Sequence, residues 1–209
     1  MHRSIRSLYG YVLGATDGNI GKIEQFYFDD KTWKIRDMLV ETGNWFSGSE
    51  VVISLDSLIK TRWEPGILPV TLSKNQVRNS PDIDTVQPLS RLEEDENWDK
   101  GLQLLSVGEI NNYHIRATDG DIGRAKDFLM NEENWQLEYL VVEMRRWFRI
   151  KKVLIKTSHI TRVDWEHSTV FVDINIASIK ERAAFDISGL ASLEHIGNVN
   201  HTTAEMNIF

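Results

Sequence analysis

The sequence predicts an all-β chain with short helices, arranged as two small tandem units. Three observations carry this expectation. A heptapeptide occurs twice, as Ala15-Thr16-Asp17-Gly18-Asn19-Ile20-Gly21 and as Ala117-Thr118-Asp119-Gly120-Asp121-Ile122-Gly123, at an offset of 117 − 15 = 102 in a chain of 209 residues. Short runs rich in β-branched and aromatic residues alternate with closely spaced turns, as in small antiparallel barrels. Helix signals appear only at the end of each repeat.

The heptapeptide reads as strand, tight turn, strand. Asp-Gly between apolar stretches marks a hairpin, because glycine supplies positive φ without steric cost, so the turn is expected at Asp17-Gly18 and at Asp119-Gly120. Gly21 and Gly123 open the following strand, where a missing Cβ admits a bulge or a close backbone approach.

The remaining elements follow in order. Ser4 to Leu8 is a lead-in and Tyr9 to Ala15 the first strand. Ile20 to Phe28 alternates imperfectly, with Ile23, Gln25 and Tyr27 on one side and Glu24, Phe26 and Phe28 on the other. Asp29 to Thr32 is a polar turn, and Ile35 to Glu41 is the third strand. Thr42-Gly43-Asn44 and Ser47-Gly48-Ser49 bracket Trp45-Phe46 in a loop. Val51 to Ile53 is a short β-branched strand. Ile59 to Trp63 and Leu68 to Leu72 flank the turn Glu64-Pro65-Gly66. Ser73 with Gln76 three residues on is a capping box, and Ser80-Pro81 ends the short helix it starts.

From Thr85 the composition changes to an acidic stretch containing Glu93-Glu94-Asp95-Glu96, a solvated linker. The second repeat then matches the first without a gap. Tyr11 corresponds to Tyr113, Phe26 to Phe128, Trp33 to Trp135, Val40-Glu41 to Val142-Glu143, Trp45-Phe46 to Trp147-Phe148, and Trp63-Glu64 to Trp165-Glu166. The helix pattern recurs at Asn175 to Arg182, and from about Ser188 the chain is a polar tail. The expected organisation is one unit over 1–84, a linker over 85–103, a second unit over 104–187 and a flexible tail over 188–209.

Composition excludes several classes. The chain has no cysteine, hence no disulfide, thiolate metal site or cysteine nucleophile. Its formal charge of −7 argues against general nucleic-acid binding, which phosphate neutralisation dominates. The start lacks the apolar core of a signal peptide, and no stretch approaches the roughly 20 apolar residues of a membrane span. A soluble, cytoplasmic protein is expected.

The residues also carry a resemblance. Gly-Tyr-x-x-x-Ala-Thr-Asp-Gly-x-Ile-Gly, followed by Trp-x-Ile-Arg, Trp-Phe-x-Gly and Val-x-Ile-Ser, resembles the PRC-barrel, named for the cytoplasmic part of the photosynthetic reaction-centre H subunit and shared with a ribosome maturation factor. Asn79-Ser80-Pro81-Asp82-Ile83-Asp84 is typical of bacterial tandem proteins of this type. The resemblance spans about residues 1–84 and 104–186. It implies two small antiparallel β-barrels related by pseudo-two-fold symmetry, and a non-catalytic binding or scaffolding protein without a cofactor. The implied partner is another protein or a second copy of the chain. An RNA- or ribosome-associated factor and a photosynthetic electron-transfer accessory are the alternatives.

The second repeat departs from the pattern in one region. Asn112 replaces Gly10, and where the first repeat has Gly43-Asn44 and Ser47-Gly48-Ser49-Glu50 the second has Arg145-Arg146 and Arg149-Ile150-Lys151-Lys152. The candidate partner-binding residues are therefore Trp45, Phe46, Trp147 and Phe148, as aromatics that mark interfaces, and Arg145, Arg146, Arg149, Lys151 and Lys152, as a basic hairpin suited to an anionic partner. Asp17, Gly18, Gly21, Asp119, Gly120 and Gly123 are expected to be structural turn residues. No catalytic set, metal-ligand spacing, P-loop or dinucleotide fingerprint is legible. The six histidines have no counterparts between repeats, and Glu41 and Glu143 lack an evident partner carboxylate.

Overall fold

A computed structural model describes residues 1–46, 49–59, 65–79, 104–146, 149–182 and 206–208. The strands are β1 (His2–Ser4), β2 (Val12–Ala15), β3 (Gly18–Asp29), β4 (Lys34–Glu41), β5 (Glu50–Ser54), β6 (Ile67–Pro69), β7 (Leu104–Ser106), β8 (His114–Ala117), β9 (Gly120–Asn131), β10 (Gln136–Arg146), β11 (Arg149–Lys156), β12 (Ile160–Asp164), β13 (Thr169–Val172) and β14 (Met206–Ile208). Two short α-helices, α1 (Lys74–Arg78) and α2 (Ile176–Arg182), close the two repeats. The fold is all-β with short helices.

The chain divides into two compact units. The first is Leu8–Gly108, and the second is Met1–Ser7 together with Glu109–Phe209. In the first unit the strand order is β5-β4-β3-β2-β6, and in the second β11-β10-β9-β8-β13-β12. Among the described residues these ladders run in an open order. The expected wholly antiparallel pairing is corrected at two places: β6 lies parallel to β2, with Val12 opposite Ile67, and β13 parallel to β8, with His114 opposite Thr169. In each case the paired strands are separated in sequence by three or four other strands, β3–β5 between β2 and β6 and β9–β12 between β8 and β13, which leaves the chain length that parallel pairing requires.

The expected strand alternation fails in β3 for a visible reason. A bulge shifts the register between Ile23 and Gln25, so Ile23 joins Phe26 and Phe28 in the core instead of opposing them. Tyr27, Leu39 and Val52, on the alternate positions, are buried as well, so the middle of this sheet is covered on both faces. In the second repeat the register of β9 against β10 shifts at the equivalent place, between Ala125 and Asp127. Core positions correspond at the same offset: Met38 and Leu140, Ile53 and Ile155, Leu68 and Val170, Val77 and Ile179 are all buried. The substitutions between repeats conserve apolar character and approximate volume, which a core tolerates best.

The lead-ins are exchanged, which the expected boundaries did not foresee. β1 pairs with β9, placing Ser4 opposite Leu129, and β7 pairs with β3, placing Ser106 opposite Tyr27. Adding 102 to Ser4 gives Ser106, and subtracting 102 from Leu129 gives Tyr27, so the two pairings share one register. Each unit thus takes a strand from the other repeat's sequence. Of the expected polar tail, Met206–Ile208 forms a strand parallel to β11. The expected linker, 85–103, lies outside the described residues.

Each exchanged strand is received by one polar side chain at the bulge. In the first unit the Gln25 carbonyl oxygen accepts the N–H groups of Gly108 and Phe26, both at 3.1 Å, and the Tyr9 hydroxyl at 2.9 Å. In the second, Asp127 accepts the Arg6 N–H at 3.2 Å, the Phe128 N–H at 2.8 Å and the Ser4 hydroxyl. Side-chain length is matched across the repeats. A Cβ on Gly108 would lie 2.4 Å from Gln25 Nε2, whereas the shorter Asp127 faces Arg6, which has one.

Burial pushes the Asp127 carboxyl above its usual range, against the opposing effect of the Ser4 hydrogen bond. A carboxyl whose folded pKa is raised stabilises the fold least when ionised. Its contribution is full below the unfolded carboxylate pKa and is lost as pH rises through the folded value. Asp127→Asn keeps an acceptor and removes the charge, as Gln25 already does in the other unit. The stability difference between variant and parent, read from urea melts, is therefore expected to grow in the variant's favour from about pH 4 upward and level off near neutrality at about 1 kcal/mol. A difference independent of pH would contradict the assignment.

Candidate functional site

The repeated heptapeptide acts as a clasp on the end of its own repeat. The Thr16 N–H donates to the Leu72 carbonyl at 2.9 Å, and Asp17 Oδ1 accepts the Lys74 N–H at 2.8 Å, at the first residue of α1. The second copy repeats this, with Thr118 N–H to the Ile174 carbonyl at 3.1 Å and Ile176 N–H to Asp119 Oδ1 at 2.8 Å. Each aspartate thus satisfies a helix-start donor that has no partner within the helix. Ser73 and Gln76 complete the reciprocal capping box on α1, and Asn175 Oδ1 accepts the Ser178 N–H at 2.7 Å on α2.

The turn lies one residue earlier than the expected Asp17-Gly18 and Asp119-Gly120 centres. Ala15 pairs with Gly18 and Ala117 with Gly120, so Thr16-Asp17 and Thr118-Asp119 occupy the turn without positive φ, which falls on Gly18 (128°) and Gly120 (151°). A tight turn followed by a left-handed glycine at the strand start suits this placement, and it aims the aspartate at the helix. Gly21 and Gly123 serve a different purpose. A Cβ on Gly21 would lie 1.9 Å from the Glu41 carbonyl oxygen, and one on Gly123 would lie 2.1 Å from that of Glu143. Glu41, the last residue of β4, and Glu143, three residues before the end of β10, rest on these glycines.

Beyond that contact the two units differ. In the first, the chain leaves the ladder at Gly43, whose φ of 64° takes it into a 3-10 turn over Gly43–Phe46. The backbone of Trp45 and Phe46 is therefore in this turn and not on a strand. Thr42, fully buried, anchors the turn by donating its N–H and hydroxyl to the Ser49 carbonyl at 3.0 and 2.6 Å. Beside the turn is an open groove of about 420 Å³, lined by Val12, Ile20, Gly21, Thr42, Gly43 and Asn44 and flanked by Lys22 and Glu41. Ile20 of the heptapeptide, buried, contributes to its apolar lining.

In the second unit the ladder continues. Glu143 opposes Lys152, Met144 opposes Lys151, Arg145 opposes Ile150 and Arg146 opposes Arg149. Arg145, where Gly43 stands in the first repeat, has no left-handed turn to make. Of the expected aromatic pair here, Trp147 and Phe148 lie outside the described residues. One lateral row crosses each sheet end: Val12, Lys22, Glu41 and Glu50 in the first unit, and His114, Arg124, Glu143 and Lys152 in the second. The final member reverses sign between repeats.

The remaining titratable groups are local. His159 contacts Asp173 at 2.7 Å and His167 contacts Asp164 at 3.0 Å, both near the surface. Among the described residues no three His, Cys, Asp or Glu side chains gather as metal ligands would. Sequence reasoning missed the groove and the Gln25 and Asp127 receptors. Their signal was the correspondence of the lead-ins, which identifies equivalent strands but not their partners. No protein-family model matches the chain, and no curated protein matches it.

The clasp makes a paired prediction. Asp17→Ala removes a helix-start acceptor and should cost about 1 kcal/mol, with Asp17→Asn recovering most of it. Gly21→Ala sets a methyl against immovable backbone and should cost about 3 kcal/mol or more. Denaturant melts of the three variants check the order, and Gly21→Ala milder than Asp17→Ala would contradict it.

Proposed function

We propose that the chain is a non-catalytic binding module of two PRC-barrel-type repeats, related by pseudo-two-fold symmetry, that holds a protein partner at the groove of its first unit. One observation carries the reading. The heptapeptide the repeats share makes framework contacts, while the repeats differ at one sheet end, where the first carries the groove. Thr16, Asp17, Gly18 and Gly21 fix a turn, a helix start and a close strand approach. The groove has an apolar lining with polar flanks, the character of a binding site for a side chain or short segment. The sequence resemblance described above supports the same class of function.

The test is affinity capture from extracts of the native cell with the parent chain, Val12→Glu and Asn44→Arg. Both substitutions place a long charged side chain at the groove. The reading expects a partner that the parent retains and that both variants lose, at unchanged thermal stability. A captured set indifferent to both substitutions, or a turnover activity abolished by one polar cluster elsewhere, would overturn it.

A further inference from the structure

The second unit carries an outward row of side chains that the groove reading does not use. On β12, β13 and β8, register places Arg162 opposite Phe171 and Phe171 opposite Arg116. The next row, two residues along β13 and β8, holds Thr169 and His114, with Arg124 of β9 opposite His114. Ile115, Val170 and Val172 alternate with these residues and are buried, so both rows face outward. His114, Arg116, Arg124 and Arg162 are exposed, and Phe171 is half-buried among them. Asp121 and Glu143 lie beyond Arg116 and Arg124 and confine the cations to a short stretch of the face.

The centre of this face belongs to the second repeat alone. In the first unit Gly14 lies opposite Pro69 and Val12 opposite Ile67 in the same register, where the second has Arg116 with Phe171 and His114 with Thr169. The sheet therefore forms without the aromatic ring and without these two polar side chains. The outer positions, Arg162 and Arg124, correspond to Lys60 and Lys22 and are basic in both repeats. Arg162 is also held in place. Its guanidinium carbon lies 4.2 Å from the Phe171 ring centroid, and its Nη1 donates to Asp164 Oδ2 at 3.2 Å. Asp164 is half-buried and accepts the His167 N–H at 3.1 Å on its other oxygen. The Arg162 side chain itself remains 60% exposed, so the planar group is fixed from below and open to solvent above.

We infer that this face binds single-stranded nucleic acid, with a base stacked on the Arg162 guanidinium above Phe171 and phosphates at Arg116 and Arg124. The class of ligand follows from the arrangement. A sheet face with an aromatic ring and a fixed guanidinium plane is a platform for flat groups, and unstacked bases are the flat groups that accompany phosphates. An acidic peptide would use the charges and leave the stack idle. A duplex keeps its bases stacked on one another and offers the platform phosphates alone. The chain's charge of −7 disfavours general phosphate binding, so the interaction depends on the stack more than on charge. Two phosphate contacts give log K a slope against log salt of about −1.4.

The experiment is fluorescence anisotropy with labelled oligouridylate and oligothymidylate of about 12 nucleotides, the duplex of the latter with oligoadenylate, and polyglutamate as a charge control. The parent chain should bind a single strand about tenfold more tightly than the duplex or polyglutamate, with the shallow salt slope given above. Arg162→Lys keeps the charge and loses the plane, so it should weaken binding about tenfold at an unchanged slope. Arg116→Gln should make the slope shallower by about 0.7. Lys31→Gln/Lys34→Gln, at exposed positions of the first unit, should change nothing. Circular-dichroism melts accompany each variant, and because both test positions are exposed the parent fold is expected in all. The inference is overturned by no binding to either single strand, by duplex or polyglutamate bound as tightly, by indifference to Arg162→Lys, or by equal loss in the Lys31/Lys34 variant. Capture at the groove of the first unit does not enter this measurement, so the two readings fail separately.

Discussion

The pairing of β1 with β9 and of β7 with β3 sets the condition under which the rest of the chain folds, since each unit is completed only when the other repeat's lead-in arrives. This is entropically dearer than local pairing. Ser4 closes on Leu129 across 125 residues instead of on Tyr27 across 23, and Ser106 closes on Tyr27 across 79 instead of on Leu129 across 23. Loop closure on these lengths costs about 1–1.5 kcal/mol more for each strand. Side-chain matching offsets it. Arg3 donates to Glu132 and His2 contacts Glu138, while the terminal amine lies 4.0 Å from Glu133. In the first repeat the positions of Glu132 and Glu138 hold Asp30 and Arg36, so local pairing would shorten one acidic partner and set a cation beside His2. Leu105, by contrast, is buried next to Phe28, where β1 would have brought Arg3.

The heptapeptide is the second constraint. It ties the start of each repeat to its end, because the residues that turn β2 into β3 also hold the chain entering α1. Its last glycine then sets where β4 can stop. What happens after that stop is free to vary, and there the repeats diverge: a left-handed Gly43 folds the first into a turn beside a groove, and Arg145 runs the second onward as a basic ladder. Framework and variable end meet at Gly21 and Gly123, so divergence at the end leaves the clasp intact.

Much of this was legible in the residues. The duplicated motif, the β-branched runs and the two helix caps are local signals, and each specifies the geometry it names. The close approach at Gly21 was legible because a glycine opening a strand has few other uses. The parity of β3 was not, because a bulge at Glu24 and burial of both faces erase the period-2 pattern on which the reading rested. The exchange of lead-ins was hidden for a different reason. Equivalent strands in a repeat protein fit either unit by sequence pattern, and the choice falls to charges at Glu132, Glu138, Asp30 and Arg36, whose neighbours cannot be known without coordinates. The groove was unreadable because it is formed by the backbone path at Thr42 to Asn44 over Ile20, although the Gly-Asn step that permits it stood out in the comparison of the repeats.

The absence of cysteine from the natural chain allows the exchanged pairing to be read directly by disulfide trapping. His2 opposes Asn131 in β9, and its local counterpart in the first repeat would be Asp29. The account predicts that His2→Cys/Asn131→Cys forms an intrachain disulfide under mild oxidation in the native state and that His2→Cys/Asp29→Cys does not. A disulfide in the second variant with none in the first would show that each repeat completes itself, and would contradict the account.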